Sequence, residues 1–176
     1  FDDQGSYSIG CVTIDPTDPN TVYSAGFYGT IQRTNMATGE TERIAPEPGP
    51  GEPNYRGQWV APFIISPHNP RIIYHGMNYL FRSLDRGDTW ERISPDLSYN
   101  DPEKYGDIPY QTIFSISESP FKFGLIYVGT DDGRVHVTRD GGENWSRVDT
   151  RARGFEPGAW VPMIEPSRTT ARKPTS

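Results

Sequence analysis

The chain has 176 residues and a net charge of −6, with 17 Lys and Arg against 23 Asp and Glu. It carries no basic stripe, so nucleic acid is not an expected partner, and no apolar run approaches the ~20 residues needed to span a bilayer. The 18 Gly and 17 Pro residues stay below the share typical of disordered chains, so a folded domain is expected.

Three stretches of the chain resemble one another at a nearly constant spacing. In each, a polar turn with proline precedes an apolar run that contains a tyrosine, and these residues are Tyr23, Tyr74 and Tyr127. A fourth stretch of the same kind begins at Trp160–Ser167. A fixed period of this length indicates a repeat architecture.

Each repeat contains four short runs rich in β-branched and aromatic residues, separated by Gly, Pro, Asn or Asp, which is typical of strands joined by turns. In the second repeat the predicted strands are Trp59–Ser66, Arg71–His75, Tyr79–Leu84 and Thr89–Ser94. In the third repeat they are Gln111–Ser117, Leu125–Val128, Arg134–Thr138 and Asn144–Val148. Four strands in each repeat, arranged around an axis, predict the blades of a β-propeller.

One motif, Ser/Thr-x-Asp-x-Gly-x-x-Trp, falls between the third and fourth predicted strands of two repeats. We call these segments, Ser83–Trp90 and Thr138–Trp145, the box turns. The aspartate of such a turn can accept hydrogen bonds from backbone amides, the glycine allows positive φ, and the tryptophan buries a large ring. The motif is therefore interpreted as structural, and its residues are Ser83, Asp85, Gly87, Trp90, Thr138, Asp140, Gly142 and Trp145.

The predicted fold class is all-β: a partial β-propeller of about three four-stranded antiparallel blades plus the start of a fourth. Closed propellers use roughly four to eight blades, so we expect a piece of a longer protein whose remaining blades pack against this chain. The expected division is 1–6 as the end of a preceding blade or a linker, 7–46 as a blade, 47–58 as an inter-blade linker, 59–95 as a blade with a box turn, 96–110 as an inter-blade insertion, 111–149 as a blade with a box turn, 150–166 as the start of the next blade and 167–176 as a disordered tail.

The box turns resemble the Asp-box, or bacterial neuraminidase repeat, which occurs in sialidases, some xyloglucan hydrolases and sortilin-type receptors. Segments such as Tyr55–Trp59, Ile93–Leu97 and Val128–Gly133 resemble the large sortilin-like propeller proteins of bacteria, which are often labelled glycosyl hydrolases. The resemblance implies an exported protein, periplasmic or extracellular. The first repeat departs from it, because Arg33–Gly39 replaces the box turn and must close differently.

An antiparallel meander places its turns alternately at two ends of the blade. The box turns share one end, the box face. The turns between second and third strands share the other with the connections between blades, and we call this the loop-rich face. Binding residues concentrate on long, variable loops, so a ligand is expected there. The candidate ligand residues are Tyr28, Arg56, Asn78, Tyr105, Asp131 and Asp132.

Several roles are open for these residues. Asp131 and Asp132 are the best acidic candidates for glycoside hydrolysis, which needs two carboxylates across the sugar. Their possible acidic partners are Asp101, Glu103 and Asp107. The two aspartates also fit an ordinary hairpin turn, or a calcium site together with Asp140. Arg56 and Trp59 either hold a sugar or peptide or serve packing between blades.

The sequence assigns no catalytic residue, and neither a metal site nor a cofactor is predicted. The first hypothesis is a propeller scaffold that binds a protein, a peptide or a carbohydrate. The alternative is part of an exported carbohydrate hydrolase with its site on the loop-rich face.

Overall fold

A computed structural model describes residues 11–106, 110–148 and 158–166. Within these ranges the strands form three four-stranded antiparallel sheets, and the predicted all-β partial propeller is confirmed. No helix in the described part of the chain is long and apolar enough to cross a membrane. The predicted segments 1–6 and 167–176 lie outside the described residues, and the division of the chain into domains stays a prediction.

Each sheet is one blade, built from consecutive strands in chain order. Blade 1 contains β1 (Cys11–Asp15), β2 (Asp18–Ala25), β3 (Ile31–Asn35) and β4 (Thr41–Arg43). Blade 2 contains β5 (Phe63–Ile65), β6 (Ile73–Gly76), β7 (Leu80–Ser83) and β8 (Glu91–Arg92). Blade 3 contains β9 (Ile113–Glu118), β10 (Ile126–Thr130), β11 (Val135–Thr138) and β12 (Ser146–Arg147).

Residues 158–166, where the sequence predicts the start of a fourth blade, contain no assigned strand. They nevertheless lie against blade 3, because the Val161 amide donates to the Thr130 carbonyl at 3.1 Å. The Ser115 hydroxyl donates in turn to the Val161 carbonyl at 2.8 Å.

The apolar core lies between neighbouring blades as well as within them. One buried cluster joins Ile31 of blade 1 to Phe63 of blade 2, and another joins Leu80 of blade 2 to Ile126 of blade 3. Each fully buried side chain of this kind contributes about 1.5–3 kcal/mol relative to exposure. The hydrophobic effect therefore holds the blades to one another.

The box turns are closed by their own side chains. In blade 2 the Ser83 hydroxyl accepts from the Gly87 amide at 2.7 Å, and the Asp85 carboxylate accepts from the Thr89 amide at 2.9 Å. The turn of blade 3, Thr138–Trp145, repeats both bonds. Hydrogen bonds from the Thr89 side chain and amide lower the pKa of Asp85 to about 2. The aspartate thus acts as a hydrogen-bond acceptor within the turn, as its structural interpretation requires.

Each box tryptophan also fastens its blade to the preceding one. The Trp90 indole N–H donates to the Ile44 carbonyl, directly after β4. The Trp145 indole N–H donates to the Ile93 carbonyl, directly after β8, at 2.9 Å. Both box turns therefore hold the end of the previous blade's outermost strand.

In addition, an arginine of the preceding blade bonds to the box turn of the next blade. Arg33 donates to the Arg86 carbonyl at 3.1 Å, and Arg82 donates to the Gly141 carbonyl at 3.2 Å. Register places Val137 at the equivalent position of blade 3, since Arg33, Arg82 and Val137 each pair with the tyrosine of their repeat. The two described joints between blades are thus chemically alike, but blade 3 carries no arginine at this position.

The third turn of blade 1 closes without a box motif, as its sequence predicts. The Asn35 side-chain carbonyl accepts from the Ala37 amide at 2.9 Å and the Thr38 amide at 3.2 Å. Gly39 completes the turn with a φ of +77°. An asparagine turn therefore replaces the aspartate of the box.

Candidate functional site

The loop-rich face gathers the two described connections between blades and the turns between second and third strands. All six candidate ligand residues lie on segments of this face, because antiparallel strand order places these segments at the same end of the blades. The sequence did not predict the contacts of these residues. In the structure, these contacts form one continuous network.

Arg56, in the first connection, lies at the centre of this network. Its Nη2 lies 2.7 Å from Asp96 Oδ2, 3.3 Å from Ser98 Oγ and 3.4 Å from the Gln111 carbonyl oxygen. The guanidinium carbon lies 4.3 Å from the centroid of the Tyr105 ring. The Arg56 and Asp96 side chains are only 19% and 12% exposed. The predicted ligand-binding arginine is therefore engaged by protein groups.

Asn78 completes this cluster from the turn after β6. Its side-chain carbonyl accepts from the Arg56 amide at 3.0 Å, and its side-chain NH₂ donates to Asp96 Oδ2 at 3.0 Å. Asn78 is almost fully buried. It therefore fixes both partners of the ion pair, and Asp96 is the acidic residue that the sequence interpretation missed.

Asp131 is fully buried beneath the same face. Its carboxylate accepts from the Gln58 side-chain NH₂ at 2.6 Å, from the Thr112 amide at 2.9 Å and from the Thr112 hydroxyl at 2.9 Å. Burial raises the pKa of Asp131. Gln58 belongs to the connection between blades 1 and 2, whereas Asp131 belongs to blade 3, so this bond ties distant parts of the face together.

Asp132 is buried as well, and it orders the second connection. Its Oδ2 accepts from the Tyr99 amide at 2.6 Å, and its Oδ1 accepts from the Thr130 hydroxyl. The Arg134 guanidinium lies 4.0 Å from the centroid of the Tyr99 ring. Both aspartates of the turn thus bond to groups of the protein itself, most of them on other segments of the face.

The other acids considered in the sequence do not join these two aspartates in one described cluster. Asp140 lies at the opposite end of β11, on the box face. Asp101 accepts from the Glu103 amide at 3.2 Å and starts a short 3-10 turn. Asp107 lies outside the described residues. Asp131 and Asp132 therefore hold the connections between blades in place on this face.

Three aromatic rings pack together beside this network, and we call them the aromatic platform: Phe27, Tyr28 and Trp59. The Trp59 ring centroid lies 4.6 Å from that of Phe27 and 5.6 Å from that of Tyr28. Tyr28 and Trp59 remain 49% and 45% exposed. Trp59 thus combines packing against Phe27 and Tyr28 with a large accessible surface.

Close backbone contact fixes the platform. A Cβ atom on Gly57 would lie 2.5 Å from the Tyr28 carbonyl carbon and the Gly29 amide nitrogen. Only glycine allows this approach. Tyr28 itself has a φ of +58°, which is uncommon for a tyrosine. The platform is therefore held in one orientation by the connection that also carries Arg56.

Comparison with known proteins finds relatives that are xyloglucanases. No known family profile matches the chain. The chain is 30% identical over 182 residues to a xyloglucanase from Paenibacillus sp. and 30% identical over 186 residues to a xyloglucanase from Acetivibrio thermocellus. Each match covers 89% of this chain, but 18% and 22% of the relatives. The chain thus spans about a fifth of the length of the curated relatives it matches.

Solved structures give the same fold. The GH74 xyloglucanase from Xanthomonas campestris is similar with a TM-score of 0.59 and 23% identity, over 83% of this chain and 24% of that chain. YCF48 bound to a D1 peptide is similar with a TM-score of 0.51 and 17% identity, over 80% of this chain and 40% of that chain. The chain therefore has a β-propeller fold, like that of these solved structures.

Proposed function

We propose that the chain is part of an exported carbohydrate-active propeller protein whose loop-rich face binds a polysaccharide of the xyloglucan class. The observation that carries this proposal is the aromatic platform, because Tyr28 and Trp59 present half-exposed rings in a fixed orientation. Ligand sites are lined mainly by apolar and aromatic side chains with a few polar groups that fix orientation. The xyloglucanase relatives favour a sugar over a peptide as the ligand.

The charges of the face fit a neutral ligand. Arg56 is paired with Asp96, and Asp131 and Asp132 accept hydrogen bonds from protein donors. A charged ligand buried next to groups that are already paired would lose its hydration without gaining a counter-charge. A neutral sugar chain that stacks on Trp59 leaves them intact.

We assign Asp131 and Asp132 to support of the binding face and not to acid–base catalysis. Glycosidases require two carboxyl groups about 5–9.5 Å apart that can reach the scissile bond. Asp131 and Asp132 are buried and bonded on both oxygens, so they support the face. In a complete hydrolase, this chain would hold the substrate while carboxylates elsewhere in the protein react.

Two finer assignments accompany this proposal. We assign the box turns to the Asp-box class, which the bonds made by Asp85 and Asp140 support, and the surrounding segments to the sortilin-like propeller proteins. Export rests on the same resemblance. A sortilin-like scaffold that binds a peptide or protein is the competing function.

Xyloglucan binding by the full-length protein tests the proposal. Affinity electrophoresis and calorimetry with xyloglucan oligosaccharides, together with release of reducing sugar, measure binding and hydrolysis separately. Trp59→Ala and Tyr28→Ala are each expected to weaken binding at least tenfold, equivalent to about 1.4 kcal/mol. Phe121→Ala is the matched control, because Phe121 is an exposed aromatic residue of the β9–β10 turn on the box face. Unchanged affinity in both platform variants, or binding of peptides in place of xyloglucan, would contradict the proposal.

A further inference from the structure

We infer that Arg56 is a positioning residue: it fixes residues 96–106 on the loop-rich face and sets ligand affinity through Tyr105 without contacting the ligand. This inference rests on the proposed function for its binding readout. We call residues 96–106 the inter-blade loop.

The inter-blade loop depends on contacts from outside itself. Its one regular element is the three-residue turn Pro102–Lys104, and Asn100 has a positive φ of 53°. Long segments with so little secondary structure are ordered by the groups that anchor them. The anchors therefore determine where Tyr105 lies.

Arg56 contacts three described residues of the loop. Its Nη2 contacts Asp96 and Ser98 near the start of the loop, and its guanidinium stacks over Tyr105 near the end. Bonds between charged groups are roughly twice as strong as neutral ones. Arg56 thus fixes both ends of the loop at one point.

The same short stretch of chain also builds the platform. Gly57 presses against the backbone of Tyr28, and Trp59 packs on the Tyr28 ring. The Arg56 amide is itself held by Asn78. Because Arg56 and Trp59 are three positions apart on a segment fixed at both ends, Arg56 couples the position of the loop to that of the platform.

Lysine cannot replace this function. The guanidinium is planar and presents several N–H donors in a fixed arrangement, whereas the lysine ammonium is a compact charge on a flexible stem. Arg56→Lys keeps the charge opposite Asp96 but loses the stacking on Tyr105 and the simultaneous contacts to Ser98 and the Gln111 carbonyl. This substitution therefore separates the effect of the positive charge at position 56 from the effect of the contacts that position the loop.

Tryptic cleavage gives a readout of loop order that is independent of any ligand. Lys104 lies in the loop with a side chain that is 69% exposed, so trypsin cuts there when the loop opens. Arg56→Lys is expected to accelerate cleavage after Lys104 in the folded protein at least fivefold and to weaken xyloglucan binding at least fivefold. Arg82→Lys is the matched control, because Arg82 makes an equally short ion pair with Glu91 and also bonds a carbonyl, far from the loop. It is expected to change neither quantity.

A double-mutant comparison separates positioning from direct contact. If Arg56 acts through Tyr105, Arg56→Lys adds less than twofold to the loss of affinity caused by Tyr105→Ala. Independent, multiplied losses would mean that Arg56 touches the ligand and would overturn the inference. Accelerated cleavage with unchanged affinity would overturn it as well, since the loop would then take no part in binding. If the unaltered protein does not bind xyloglucan, the proposed function fails, while cleavage after Lys104 still decides whether Arg56 orders the loop.

Discussion

Two adjacent glycines in the box turn of blade 3 are expected to respond differently to the same substitution. Gly141 and Gly142 both have positive φ, at +74° and +107°. A Cβ atom on Gly142 would lie 2.6 Å from the Ile93 carbonyl oxygen and 2.8 Å from the Ile93 Cβ. On Gly141 the nearest neighbour is a terminal nitrogen of Arg82 at 3.4 Å, and blade 2 places Arg86 at this position with a φ of 65°.

The expected costs follow from these contacts. At Gly141, alanine costs roughly 1–2 kcal/mol for the left-handed conformation, of which about 0.4–1 kcal/mol is returned through the less flexible unfolded chain. The net loss is therefore about 0–1.6 kcal/mol. At Gly142, overpacking adds about 1–3 kcal/mol. Displacing the Ile93 carbonyl also weakens its bond to Trp145, at about 1 kcal/mol. Together with the conformational loss, Gly142→Ala should thus cost about 2–5.5 kcal/mol.

Urea unfolding of the two variants, followed by tryptophan fluorescence, measures this difference directly. Gly39→Ala gives a further reference, because Gly39 has a φ of +77° and an added Cβ atom there would meet no other group within 4 Å. It should resemble Gly141→Ala. Equal losses for Gly141→Ala and Gly142→Ala, within about 0.5 kcal/mol, would refute the claim that the second glycine of the box is required by contact with the preceding blade.

Three further outcomes are expected. Asp85→Ala should lower the free energy of unfolding by about 1 kcal/mol at neutral pH; because the folded pKa of Asp85 is lowered to about 2, this difference should vanish as the pH falls from about 3.8 towards 2 in acid melts. Burial lowers the pKa of His75 to about 4, so the free energy of unfolding should fall by up to about 3 kcal/mol as the pH falls from 6.5 to 4. In His75→Gln the melting midpoint should depend less on pH in that window, and an unchanged dependence would contradict this. Trp145→Phe should cost about 1–3 kcal/mol in thermal melts, since a backbone carbonyl of blade 2 loses its donor, whereas Trp160→Phe, at an exposed ring, should leave the midpoint unchanged.

The fold was predictable because short sequence patterns specify each four-stranded unit and these patterns recur along the chain. Strand runs, turn residues and the spacing of Tyr23, Tyr74 and Tyr127 all point to the same four-stranded unit, and agreement between such levels is what specifies a fold. Strand ends were less predictable. The second repeat predicts a strand from Trp59, but β5 begins at Phe63. Pro62 lacks an N–H for the ladder, although its carbonyl accepts from the Gly76 amide at 2.9 Å.

The candidate face could be predicted, but the roles of its residues could not. Strand order alone puts Arg56 and Asp131 at one end of the blades. Their partners, however, are remote in sequence: Asp96 is 40 residues from Arg56, and Gln58 is 73 residues from Asp131. Such pairs depend on how three blades fan out around an axis, which local patterns do not encode. The sequence therefore presents these charges as available, whereas the folded chain engages them.

The joints between blades have a direction. Blades 1 and 2 each send an arginine forward to the successor's turn, and that turn sends a tryptophan back. Because each blade contacts its neighbours in this way, the stability of the array is approximately a sum of contributions from the separate joints. Val137 and Ser146 stand where blades 1 and 2 carry an arginine and a glutamate. The chain that follows blade 3 is engaged by other chemistry, since the Val161 amide donates to the Thr130 carbonyl and the Val161 carbonyl accepts from the Ser115 hydroxyl. The forward arginine of the first two joints is thus not repeated at blade 3.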